Sequence, residues 1–311
     1  MPAELKCAHN LAFQALLLLL LSIRNRYPLV NDNILAKANG VITNLRKYTV
    51  MRWARYFVDG KETFGIIDGD TIIDVVGDPF DGFEKTQNSR LLASTKLSAP
   101  VMPRTFYAAG LNYAEHVREA AAKLGRSPDL PPAADIGYRA INSITGPDDP
   151  IIVPADATEL LQYEGELVVV IGKEAKNLTE ANVWDCILGY TIGNDVSERT
   201  WQRGDRTMWR GKNTDTFAPM GPWIETDFDL SQAMTTVRVN GQEKITFKTD
   251  SWIFGIKEFL IRMTQYCTLY PRDVVWMGTE GKTDNMVNGD VCEVEITGLG
   301  VLRNRVEWEG K

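Results

Sequence analysis

Gln162-Tyr163-Glu164-Gly165-Glu166-Leu167-Val168-Val169-Val170-Ile171-Gly172 sets two carboxylates two positions apart at the mouth of an unbroken apolar, β-branched run. Such a run reads as a buried strand. Side chains alternate between the faces of a strand, so Glu164 and Glu166 share one face. Like charges side by side repel, and burying them beside a core is costly unless something holds them. A hard divalent cation is the simplest holder, because Mg²⁺ and ions like it prefer carboxylate oxygens. The plainer alternative is a solvated strand end with both acids facing water.

A third acid extends the pattern. Gly189-Tyr190-Thr191-Ile192-Gly193-Asn194-Asp195 is a second strand-like run, and Asp195 follows Glu166 by 29 residues. That interval suffices for a crossing and a neighbouring strand. Three carboxylates converging from two strands would leave open positions for water and substrate. Asn194-Asp195-Val196-Ser197 also reads as a loop start, in which Asp195 would serve only as a turn residue. The polar cluster Ser197 to Arg203 just past the strand favours a site.

Two histidines occur, His9 and His116. His116 lies in Asn112-Tyr113-Ala114-Glu115-His116-Val117-Arg118-Glu119, which reads as a helix start with Asn112 as N-cap and Glu115 closing a capping box. His116 and Glu119 are three apart, hence on one helical face. A carboxylate that orients an imidazole makes a base able to activate water. The alternative is an exposed histidine beside an ordinary charge.

These pieces, with others in order, resemble the fumarylacetoacetate hydrolase family, including its 2-hydroxyhepta-2,4-diene-1,7-dioate isomerase-like members. The match runs from about Arg104 to Val306. It includes Ile144-Thr145-Gly146-Pro147, Tyr163-Glu164-Gly165-Glu166-Leu167, Asn194-Asp195-Val196-Ser197 with Arg199, Phe217-Ala218-Pro219-Met220-Gly221-Pro222-Trp223, Gly278-Thr279 and Asn288-Gly289-Asp290. The resemblance implies a mainly β, α+β fold: a mixed β-sandwich or β-roll catalytic domain with a small N-terminal β-rich domain, assembled as a homodimer. It implies that Glu164, Glu166 and Asp195 hold Mg²⁺ or Mn²⁺, and that His116 and Glu119 form the dyad. Arg139, Arg199, Gln202, Lys212 and Thr279 would hold a small keto-acid substrate. Arg139 stands where many relatives carry Lys, and its fork would still bind an anion. The implied activity is cleavage of a C–C bond in a 2-keto acid or 1,3-dicarbonyl (acylpyruvate-type) substrate through a metal-stabilised enolate. An oxaloacetate-type decarboxylase, a keto–enol tautomerase or isomerase, a sugar-acid dehydratase, and a catalytically silent binding protein are the alternatives.

Two departures bear on the pocket. Gly278-Thr279 continues as Glu280-Gly281-Lys282, charged residues where the family has a neutral turn. The Pro-rich Lys123–Ile136 segment follows the dyad helix and reads as a lid loop.

At 311 residues the chain can bury a large core, and a net charge of −7 argues against non-specific nucleic-acid binding. Cys7, Cys186, Cys267 and Cys292 show no C-x-x-C spacing, which reads as reduced thiols in a reducing compartment. Residues 1–50 form an extension with six Lys or Arg against two acids, and Leu11–Ile23 is an apolar stretch of 13 residues. That is too short to span a bilayer, so no stable membrane insertion is expected. Met51 reads as the true start; a mitochondrial presequence is the alternative to a cytoplasmic protein. Residues 51–100 read as the small domain and 101–311 as the catalytic one, joined near Pro100 and Pro103. Helices are expected over 112–123, Thr179–Leu188 and Asp250–Tyr266. Gly60, Gly65 and Gly69 are expected in tight β-turns, and the apolar Trp252–Ile256 stretch in the core or at an interface.

Overall fold

A computed structural model describes residues 51–310 apart from Leu124, Arg126 and Lys282; of His116, Glu119, Ala120 and Lys123 it describes the backbone. The expectations for residues 1–50, Cys7 included, lie outside the described residues. The chain opens with an antiparallel meander, β1 (Arg52–Val58), β2 (Lys61–Asp68), β3 (Thr71–Asp78) and β4 (Gly82–Leu91). Next come β5 (Phe106–Ala109), helix α1 (Ala114–Lys123), β6 (Ile136–Arg139), β7 (Ile144–Thr145), β8 (Ile151–Val153), β9 (Leu161–Gln162), β10 (Gly165–Ile171) and β11 (Ile187–Asn194). After β12 (Ser197–Glu198) stand two short helices, α2 (Arg199–Gly204) and α3 (Trp209–Asn213). The remainder is β13 (Ala218–Glu225), β14 (Met234–Val239), β15 (Gln242–Lys248), α4 (Ile256–Tyr266), β16 (Val274–Trp276), β17 (Val291–Ile296) and β18 (Gly300–Trp308).

The strands make a mixed β architecture with few helices. One large sheet runs β4-β3-β2-β1-β13-β11-β10-β16-β5-β6, with β7 beside β13; a second runs β15-β14-β17-β18-β8. The meander is continuous with the large sheet through β1, whose Arg52 and Trp53 pair with Glu225 and Ile224 of β13. Strand β10 is buried along its whole length, and its alternation divides the core. Leu167, Val169 and Ile171 pack with Val237, Val294 and Leu302 of the second sheet and Leu260 of α4. Val168 and Val170 pack on the other side with Trp53, Ile66, Met220 and Trp276. Each such side chain contributes roughly 1.5–3 kcal/mol when removed from water. Glu164 and Glu166 have the parity of Val168, so the carboxylates end the row that contains Trp276. Among the described residues no helix is long and apolar enough to cross a membrane, and Cys186, Cys267 and Cys292 are free thiols.

Several local expectations are corrected. Thr179–Leu188 is no helix: a turn leads into a single 3₁₀ turn at Val183–Cys186, and β11 starts at Ile187. The Asn182 side chain accepts from the Thr179 amide and hydroxyl, a local bond that competes with helix propagation. The Cys186 carbonyl is then taken by the amides of Gly172 and Lys173 at the end of β10. The last helix begins at Ile256, not Asp250, because the amides of Ile253 and Phe254 donate to the main-chain and side-chain oxygens of Asn112. Asn112 is therefore a buried bridge and not an N-cap; α1 starts at Ala114, and Glu115 pairs with Arg118 in place of closing a capping box. Trp252 and Phe254 pack against the core. Gly65 lies within β2, where a Cβ would strike Ile72 and the Tyr56 hydroxyl; Gly60 and Gly69 do occupy turns with positive φ.

Gly193 of β11 pairs with Glu166. A Cβ at Gly193 would stand 2.5–2.7 Å from three carbons of the Trp276 ring, so only glycine lets the indole lie against the strand that leads to Asp195. Gly193→Ala is expected to destabilise the protein by about 1–3 kcal/mol through overpacking. The effect should read as a lower urea midpoint with an unchanged slope; a wild-type midpoint would show that Trp276 yields freely.

Candidate metal and substrate site

The antiparallel pair β10–β11 closes at its open end with bonds that fix the acids. The Asp195 amide donates to the Glu164 carbonyl at 2.9 Å. The Glu164 amide donates to the Asn194 side-chain carbonyl at 2.9 Å. Glu164, Glu166 and Asp195 consequently converge, each buried, with one carboxylate oxygen apiece inside a 4.8 Å group. Their exposures of 6 %, 3 % and 2 % exclude the solvated-strand-end reading. The Asp195 turn reading gives way for the same reason.

Cations from three separate elements answer the acids. Lys212 of α3 reaches Glu164 Oε2 at 2.8 Å and Asp195 Oδ2 at 2.6 Å. Arg199, at the start of α2, meets Glu164 Oε1 at 2.7 Å. Arg139, at the end of β6, meets Asp195 Oδ2 at 3.2 Å. Glu166 receives the Gly278 amide at 2.8 Å. Burial, followed by the nearby charges of Asp195 and Glu164, holds the Glu166 carboxyl well above the usual carboxylate range. Asp195 Oδ1 is buried with no hydrogen-bond partner among the described residues. An unmet buried carboxylate oxygen is costly, and a cation seated among the three acids would satisfy it. The donor set is all oxygen, so the residues fit a hard divalent ion.

The acids line a cavity of about 150 Å³ together with Arg139, Gln202, Lys212 and Thr279. Seven of the ten residues singled out from sequence are thus brought together. Arg199 is not on the cavity wall; it stands behind Glu164, donating also to Gln162 and Gln202 at 2.8 Å each. The side chains of His116 and Glu119 lie outside those described, and their helix follows directly on cavity residues Leu111 and Asn112.

Sequence reasoning assigned no site role to Asn194, Asn112 or the Gly278 amide, nor to the cavity residues Leu111 and Met208. Asn194 sits beside Asp195, and its amide-for-backbone capacity was the available signal. Asn112 donates to the carbonyls of Phe254 and Met277 at 3.0 Å each, which holds the turn that presents Gly278.

Known proteins match this chain over most of its length. Residues 105–307 match the family described as Fumarylacetoacetate (FAA) hydrolase C-terminal, and residues 51–100 match one described as Rv2993c-like, N-terminal. The crystal structure of 5-carboxymethyl-2-hydroxymuconate delta-isomerase from Mycobacterium smegmatis is 35% identical, with a TM-score of 0.75 over 83% of this chain and 100% of that one. A 2,4-didehydro-3-deoxy-L-rhamnonate hydrolase of Sphingomonas sp. is 32% identical over 83% of this chain and 97% of its own. The mitochondrial oxaloacetate tautomerase Fahd2a of Rattus norvegicus is 32% identical over 68% and 69%. On the family match and these relatives together, the chain belongs to the fumarylacetoacetate hydrolase family.

Proposed function

We propose that this chain is a Mg²⁺- or Mn²⁺-dependent hydrolase that cleaves a C–C bond in an acylpyruvate-type 2,4-diketo acid. The observation that carries the reading is the buried triad Glu164, Glu166 and Asp195 with an unmet oxygen on Asp195, facing a small cavity. A divalent ion held there supplies Lewis acidity toward an enolate developing on the keto acid. Lys212, Arg199 and Arg139 pair with Glu164 and Asp195, which lowers the charge that a bound ion would have to balance. Arg139 keeps one buried donor, Nε, without a partner among the described residues, and it suits a substrate carboxylate oxygen. In this reading His116 is the general base that takes a proton from water, with Glu119 as its partner acid. The hydroxyl adds to the distal carbonyl, the C–C electron pair leaves toward the keto-acid half, and protonation of that half yields two acids.

A second reading is tautomerisation, in which the same base moves a proton between keto and enol forms without cleavage. The isomerase and tautomerase names of two relatives favour it.

Turnover of acetylpyruvate and oxaloacetate with Mg²⁺ separates the readings. Two acid products support the hydrolase, while loss of enol absorbance without new acids supports the tautomerase. Asp195→Ala is expected to abolish both turnover and the rise in Tm on adding Mg²⁺; wild-type kinetics would remove Asp195 from the site. His116→Ala should retain the Mg²⁺-induced rise in Tm while hydrolysis falls by about 10²–10⁴-fold. Loss of the metal response in that variant would make His116 a ligand and overturn its role as base.

A further inference from the structure

Two cavity residues have no part in the chemistry above. Apart from Ala109, the apolar side chains lining the cavity are Leu111 and Met208. Both have left-handed backbone, with φ of 35° and 54°, a region that costs an ordinary side chain about 1–2 kcal/mol. Both are also exposed, at 51 % and 36 %. Neighbouring bonds impose the strain. The Gly110 amide is held by the Asp135 carbonyl at 3.0 Å, and Asn112 is locked by its bridge. The Met208 carbonyl accepts from the Lys212 amide and from Asn213 Nδ2, each at 3.2 Å. A strained backbone that displays large apolar groups to water at the rim of a charged cavity is unfavourable on two counts. Covering them with hydrocarbon offsets one of those costs.

The charges point the same way. Among the described residues, the cations on the cavity wall, Arg139 and Lys212, are each already paired with an acid. Once Arg139 Nε takes the keto-acid carboxylate, no further cation among the described cavity-lining residues is left to face a second carboxylate at the far end of a ligand.

We infer that Leu111 and Met208 are specificity-determining residues that receive the tail of the substrate, and that this tail is uncharged hydrocarbon. The inference rests on the keto-acid reading above and narrows it: a 2,4-diketo acid with an alkyl acyl group is preferred over a dicarboxylate such as oxaloacetate. The rim discriminates by burial, with methylene groups of the tail displacing water from Leu111 and Met208 while the keto-acid end stays at the triad.

Leu111→Asn and Met208→Asn test it, because asparagine tolerates left-handed backbone and removes the apolar contact. With Mg²⁺, wild type should show higher kcat/KM on a 2,4-diketo acid bearing a propyl tail than on oxaloacetate. Each variant should lower that ratio about 10-fold. Equal losses on both substrates, or an unchanged ratio, would overturn the inference. Calorimetric binding of 2-oxooctanoate and of oxalate to the Mg²⁺-loaded protein gives a readout independent of turnover. If wild type turns over neither substrate, the functional reading fails. The tail contact then stands or falls on whether the variants weaken 2-oxooctanoate about 10-fold relative to oxalate.

Discussion

Three carboxylates are pressed together at the end of a buried strand pair, and the Lys212 ammonium is the group that bridges two of them. Like charges at this spacing in a poorly solvated place repel strongly. Removing one partner from such an arrangement costs about 3–5 kcal/mol, because a charge is left buried and unmatched. The three cations come from β6 and from the consecutive short helices α2 and α3. Neutralising the acids therefore also ties the loops that wall the cavity to the sheet that carries the acids. Glu166 accepts a backbone amide, and burial, followed by the charges of Asp195 and Glu164, raises its affinity for a proton.

How much of this is legible in the sequence follows from how local each cause is. The β10 run declares itself because four successive apolar residues, Val168 to Ile171, are buried on both faces of a central strand, and period-two alternation then places Glu164 and Glu166 together. Asp195 is legible because β11 returns antiparallel to β10 with Gly165 opposite Asn194. The illegible parts depend on distant partners. Thr179–Leu188 has helical spacing, yet the carbonyl of Cys186 is claimed by the end of β10. Asn112 has N-cap chemistry, yet its amide is spent on Phe254 and Met277, 142 and 165 residues away. In both cases tertiary hydrogen bonds outbid a local preference of a few tenths to one kcal/mol. The left-handed backbones of Leu111 and Met208 leave no sequence mark, since neither residue is a glycine or an asparagine.

In the proposed reading the triad alone does not choose among cleavage, decarboxylation and tautomerisation, because each would develop an enolate on a 2-keto acid. Choice falls to whatever stands over the distal carbon, and the backbone there is not independent of the chemistry. Helix α1, with His116 in its first turn, starts three residues after Leu111. Helix α3, with Lys212, starts immediately after Met208. A tail seated against these two residues would therefore bear on the segments that carry the proposed base, His116, and the cation Lys212. In the reading proposed here, recognition of the tail and placement of the reacting groups share the same few residues of chain. A change that loosens Leu111 or Met208 would then shift the balance between cleavage and simple proton transfer, and not affinity alone.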